Sequence, residues 1–130
     1  MNDPKSIARE LVGAYNAKSI GRLLALHHPD GRLWSPFERD WIVGHAAIGE
    51  SIRRLFEAYS DEEMTIELLA GDKTHANAEF GSVGPGPDRG EVRFTKVHEV
   101  RDGRIAACHV YINPDELRAR AGPSTVGPNQ

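Results

Sequence analysis

The chain has 130 residues, with 16 Lys and Arg against 19 Asp and Glu and a formal net charge of −3. That is one domain's length, enough to bury roughly two-thirds of the unfolded surface in a core of its own. The mild acidity and the lack of any Lys/Arg cluster give no electrostatic case for nucleic acid, and no apolar run is long enough to span a bilayer.

Asp3 and Pro4 open a first helix, since aspartate caps free N–H groups and proline is preset for the first helical position. Ile7, Leu11, Val12 and Tyr15 then recur at helical spacing and form one apolar face. A second helix is expected from Ser19, presenting Ile20, Leu23, Leu24 and His27, and ending before Pro29-Asp30-Gly31. A short strand over 32–37 follows, and Gly44 precedes a third helix carrying Ile48, Ile52, Leu55, Phe56 and Tyr59. From there the period changes to two. Residues 64–70, 73–83, 91–100 and 104–113 read as four strands, separated by Gly71-Asp72, the Gly- and Pro-rich stretch 84–90 and Arg101-Asp102-Gly103. Asn113-Pro-Asp-Glu116 has the pattern of a capping box for a short last helix. The expectation is a single domain over 1–121, followed by a small, polar tail over 122–130 that is disordered. Helices first and strands second predict an α+β fold, with three N-terminal helices on one face of a curved, mostly antiparallel sheet.

The last hairpin decides which residues face the helices. A two-residue Asp102-Gly103 turn alone would set the apolar row Ala106, Cys108, Val110 and Ile112 beside the polar row Arg93, Thr95 and Glu99. A three-residue Arg101-Asp102-Gly103 loop, with Gly103 left-handed, instead pairs even with even and is the expected form. The inner face then carries Val92, Phe94, Lys96, His98 and Val100 opposite Ala106, Cys108, Val110 and Ile112, with Ala76, Ala78 and Phe80 on the strand before. Several of these are small enough to leave room for a ligand. Lys96 and His98 are ionisable groups on an otherwise apolar wall, roughly 7 Å apart along the strand.

This order of elements resembles the nuclear transport factor 2-like superfamily, in its SnoaL-like polyketide cyclase and ketosteroid isomerase-like branch, over about residues 6–118. The residues that carry the resemblance are Leu23-Leu-Ala-Leu-His-His-Pro-Asp30, Trp34-Ser-Pro-Phe37, Ile42-Val-Gly-His45 and Glu99-Val-Arg-Asp-Gly-Arg-Ile105. It implies a cone-shaped domain with a pocket for a small hydrophobic molecule, and a homodimer formed through the outer sheet face. The chain departs from its relatives at their working positions. Ser35 falls where the isomerases keep a carboxylate base, Leu11 where they have a hydrogen-bonding tyrosine, and Lys96 at their second acid. Val110 stands where the polyketide cyclases and limonene epoxide hydrolases keep an aspartate.

The candidate catalytic residues are therefore Lys96 and His98. An apolar cavity disfavours a charged ammonium, which would leave a nucleophilic amine or a base; a retained charge would hold a carboxylate or developing oxyanion. A neutral His98 imidazole suits proton transfer near neutrality. The expected substrate contacts are Ser35, Tyr15, Cys108, His27, Phe94, Val110, Ile112 and Phe56. No triad and no metal-ligand spacing is present, so neither a metal nor another cofactor is expected. The opening Met1-Asn2-Asp3-Pro4 lacks the basic and apolar regions of a leader, and the single Cys108 fits a reducing compartment, so the expected location is the cytoplasm. Two functions follow: a cofactor-free isomerase, cyclase or dehydratase acting on a hydrophobic carbonyl-bearing metabolite, or a catalytically silent protein that binds such a ligand.

Overall fold

The structure, a computed structural model, describes residues 3–36, 38–84, 91–113 and 115. The first helix, α1, spans Pro4–Asn16, and Asp3 caps it by accepting from the Ser6 N–H at 2.8 Å. Ile7, Leu11 and Tyr15 are buried, as the apolar spacing predicts, together with Ala8 and Ala14, while Val12 of the same predicted face is only partly buried. A short helix, α2, spans Ile20–Ala25 behind a Ser19 cap. Strand β1 (His27–Ser35) and strand β2 (Asp40–Val43) follow, then α3 (His45–Ala58) behind Gly44. Four further strands complete the chain: β3 (Glu63–Gly71), β4 (His75–Val83), β5 (Glu91–Arg101) and β6 (Arg104–Tyr111). They form one six-stranded sheet in the order β2-β1-β6-β5-β4-β3, antiparallel except where β1 runs parallel to β6. The expected short helix after Asn113 and the tail over 122–130 lie almost wholly outside the described residues, as do Phe37 and most of the 84–90 stretch.

Two departures come from tertiary pairing. His27, expected on the inner face of the second helix, is instead the first residue of β1 and pairs with Ile105. The Ile105 N–H donates to the Leu26 carbonyl at 2.8 Å, which stops the helix one turn early and draws the chain into the sheet. Gly31 lies in this irregular crossing, where a Cβ would stand 2.9 Å from the carbonyls of His28 and Ile105. The second departure is β2, a short edge strand whose four residues have no pattern of their own. It exists because Trp41 and Ile42 pair with Trp34 and Leu33 of β1.

The final hairpin reaches the expected register by another route. Arg101 pairs with Arg104 across a two-residue turn, with Asp102 and Gly103 at φ of 55° and 74°, the geometry of a type I′ hairpin. The extra residue lies one step further along. Val100 pairs with Ile105 and Glu99 with Ala107, so Ala106 is a bulge and Ile105, not Ala106, fills the inner row. Beyond it, His98 faces Cys108 and Lys96 faces Val110, even with even as required.

The core lies between the sheet and the helices. Ala76 and Ala78 of β4 are fully buried and let α1 settle close on the sheet. Phe80 is the largest sealed side chain, stacked on Phe94 at a centroid distance of 5.4 Å. The Asn16 amide ties the end of α1 to β3, donating to the Met64 carbonyl at 2.9 Å and accepting from its N–H at 2.7 Å. Removing the ring in Phe80→Ala should cost about 3–5 kcal/mol of unfolding free energy in urea titration. Val43→Ala, at a largely exposed edge position, should stay within about 0.5 kcal/mol.

Candidate functional site

Helix α1 packs over β3, β4 and β5, and α3 over β1 and β2. Between them, above the sheet, a cavity of about 480 Å³ remains, the size of a small organic ligand. Leu11 and Tyr15 border it from α1, Ile52 and Leu55 from α3, and Phe94, Lys96, Cys108 and Val110 from β5 and β6. Its mouth carries Glu38 and Arg54, which form an exposed ion pair at 3.2 Å.

Eight of the ten residues expected at a site border this cavity: Lys96, Ser35, Tyr15, Cys108, His27, Phe94, Val110 and Ile112. Lys96 is half-buried on the inner face, its Nζ 5.7 Å from the Phe80 ring centre and 5.8 Å from that of Phe94. Among the described residues it forms no ion pair and no hydrogen bond. Ring faces contribute about 1–2 kcal/mol to holding a desolvated cation, less than a buried carboxylate partner would. The ammonium is therefore left to whatever anion enters.

His98 and Phe56 do not border the cavity. His98 points inward as its register requires, yet it is completely buried beneath the wall, edge-on to Phe80 at 6.4 Å. Neither of its ring nitrogens has a hydrogen-bond partner among the described residues. Burial, then the charge on Lys96 and the nearby His27, push its pKa down to about 3, so the imidazole is neutral and sealed from any substrate. Phe56 instead packs behind Tyr15, with the two rings edge-to-face at 5.3 Å. Helical spacing places Phe56 on the inner side of α3, but Tyr15 stands between it and the cavity.

The other groups are fixed more firmly. His27 is buried, and its Nδ1–H donates at 2.7 Å to the Leu23 carbonyl, which also accepts the Leu26 N–H that closes the last turn of α2. Burial lowers its pKa, the Leu23 bond opposes that shift, and Lys96 and His45 lower it further. Tyr15 is pushed upward by burial and then by Glu62 and Tyr59, so its phenol stays a hydrogen-bond donor. Burial raises the Cys108 thiol, with Lys96 opposing; it is a small apolar wall group. Ser35 Oγ accepts from the Glu38 N–H at 3.3 Å, closing the turn at the end of β1.

Sequence reasoning missed the far end of the cavity. Tyr59 and Ser82 border it, and Ser82 donates to the buried Glu62 carboxylate at 2.9 Å. Ser82 extends the even-numbered row of Phe80 and was findable from that period; Glu62 sits in the turn before β3 and has no such signal. Among the described residues no cluster of His, Cys, Asp and Glu could hold a metal ion, and no helix is long and apolar enough to cross a membrane.

Helices packed on one face of a curved sheet around a ligand-sized cavity define a cone-shaped α+β domain of the nuclear transport factor 2-like, ketosteroid isomerase-like class. The sequence matches the SnoaL-like domain family over residues 8–108, and the chain belongs to that family. Among solved structures it is similar to a ketosteroid isomerase-like protein of Catenulispora acidiphila, crystallised with trimethylamine. That pair shares 18% identity over 96% of this chain and 99% of the other, with a TM-score of 0.78. It is also similar to a Kribbella flavida protein that carries a ketosteroid isomerase name, at 19% identity over 84% and 76% of the two chains and a TM-score of 0.71. A Sinorhizobium meliloti protein that carries a polyketide cyclase name matches at 21% identity over 80% and 92%, with a TM-score of 0.69. At these identities the likeness is one of fold. No curated protein matches the sequence.

The sealed His98 makes an acid-sensitive fold. Its folded pKa lies far below the ordinary 6.5, so between the two values the unfolded chain takes a proton that the folded chain refuses. Stability should fall as the pH drops from 6.5 toward 3 and stay level in this respect above neutrality. His98→Met should melt no lower than wild type near neutral pH and lose less of its melting temperature on acidification to about pH 4, followed by calorimetry. The residual acid loss combines His27, whose shift has the same sign, with the lowered carboxyls of Asp3, Glu50 and Asp72.

Proposed function

We propose that this protein is a small-molecule enzyme of the isomerase, cyclase or dehydratase type, acting without a bound cofactor on a hydrophobic carbonyl-bearing metabolite. The observation that carries the reading is the Lys96 ammonium, set without a partner among the described residues into the wall of an apolar cavity of about 480 Å³. Removal of a proton beside a carbonyl places negative charge on oxygen. A fixed cation in a low-dielectric cavity stabilises that charge more than it stabilises the neutral ground state, which is the condition for catalysis. Tyr15 and Ser35 supply hydrogen bonds that orient the substrate, while Phe94, Val110, Ile112 and Cys108 hold its apolar body. Membership of the SnoaL-like family supports this class of chemistry.

A second reading, binding without turnover, is favoured by one fact: among the described residues Glu38 is the only carboxylate bordering the cavity, and it is tied to Arg54 at the mouth. Deuterium exchange separates the two. Acetophenone, phenylacetone and cyclohexenone are incubated with the protein in deuterium oxide and their proton loss is followed by NMR. Enzyme-dependent exchange that falls at least about a hundredfold in Lys96→Met supports the first reading. Ligand binding with no exchange supports the second.

The outer sheet face is proposed as a homodimer interface. Trp41 meets Trp34 and His109 edge-to-face at 5.5 and 5.1 Å, with the Arg32 guanidinium 4.1 Å above its ring centre, and Tyr111 lies exposed beside them. Aromatic residues with an arginine are the composition enriched at interface centres. Sedimentation should give a dimer mass, and Tyr111→Glu should reduce it to the monomer.

A further inference from the structure

We propose that His27 is the proton-transferring base of this cavity, acting through Nε2; the inference rests on the enzymatic reading above. Nδ1 faces the Leu23 carbonyl at 2.7 Å, and a carbonyl only accepts, so Nδ1 carries the ring proton. Nε2 is then the nitrogen with the free lone pair. It has no partner among the described residues and, in contrast to both nitrogens of His98, it is not sealed off. The ring borders the cavity. Its backbone is held as well, because His45 Nε2 donates to the His27 carbonyl at 3.0 Å.

The surroundings keep this lone pair available. The charged and titratable groups that act on the ring are Lys96 and His98 on β5 and His45 at the start of α3. None is a carboxylate; the Leu23 carbonyl favours an imidazolium, but burial outweighs it before a substrate arrives. The step balances without an added reagent. Nε2 takes the proton from the carbon beside the carbonyl, and the C–H bonding pair becomes the enolate double bond, with its charge on oxygen near Lys96. The imidazolium then delivers its proton to a conjugated carbon, giving isomerisation, or first swaps it for a solvent deuteron and delivers that to the original carbon, giving exchange. The simpler account of His27, a cap on the end of α2, needs Nδ1 alone and gives Nε2 no role.

His27→Asn separates these accounts. The asparagine amide N–H can replace Nδ1–H toward the Leu23 carbonyl, whereas nothing replaces Nε2. The exchange assay with acetophenone, phenylacetone and cyclohexenone is run on wild type, His27→Asn and Lys96→Met, with melting temperatures alongside. The proposal expects His27→Asn to melt close to wild type and to lose at least about a hundredfold in exchange. The wild-type rate should also fall with acid along a limb centred below the ordinary 6.5, as Nε2 becomes protonated. That profile serves even if the variant does not fold. Exchange within about threefold of wild type in His27→Asn, or a wild-type rate with no acid limb from about pH 7 down to the onset of acid unfolding, overturns the role of His27. Should Lys96→Met still abolish exchange in that case, the enzymatic reading stands without it. A wild type that exchanges none of the three compounds removes both.

Discussion

One extra residue, the bulge at Ala106, fixes the direction of every side chain that follows it on β6. Side chains alternate strictly along a strand, so a shift of one position exchanges the two faces of the sheet. The type I′ turn at Asp102 and Gly103 sets Arg101 against Arg104, which on its own would carry His109 and Tyr111 inward beneath the helices. The bulge resets the count. Cys108 and Val110 turn to the cavity, opposite His98 and Lys96, while His109 turns outward to Trp41 and Glu99. The apolar wall on one face and the aromatic stripe on the other are products of the same inserted residue.

Within that frame the chemistry is set by what is missing around one cation. An ammonium in a poorly hydrated cavity attracts negative charge strongly because no solvent screens it. Its field reaches His27, His98 and Cys108 and disfavours protonated imidazoles nearby. The outcome is a positive charge set beside neutral imidazoles. Among the described residues the one buried carboxylate is Glu62, which lies beside Ser82 and acts on Tyr15.

Two histidines on β1 and β5, the strands that flank β6, illustrate how burial and access separate. Both are drawn toward neutrality by desolvation. His98 has no partner for either nitrogen among the described residues and no path to a ligand, so it costs the fold at every pH and more in acid. His27 spends one nitrogen on the last turn of α2 and keeps the other at the cavity. Which of two inward-facing imidazoles meets a substrate depends on depth, a dimension that alternation along a strand does not encode.

Much of the architecture follows from periodicity by itself. The faces of α1 and α3, the four long strands and the inward row of Phe94, Lys96 and His98 are local patterns, since each residue's side is decided by its own spacing along a helix or strand. Even-with-even pairing was legible from hydrophobicity alone, because a polar row beside an apolar one costs too much in a half-buried sheet. What only the folded chain decided involves partners far apart in sequence. Ile105 ended α2 early and made His27 a strand residue, Trp34 and Leu33 recruited β2, and Tyr15 screened Phe56. The thickness of the wall over His98, and the meeting of Glu62 with Ser82, are likewise set by packing. Local spacing fixes the direction of a side chain; its depth and its neighbours depend on elements that only the closed structure brings together.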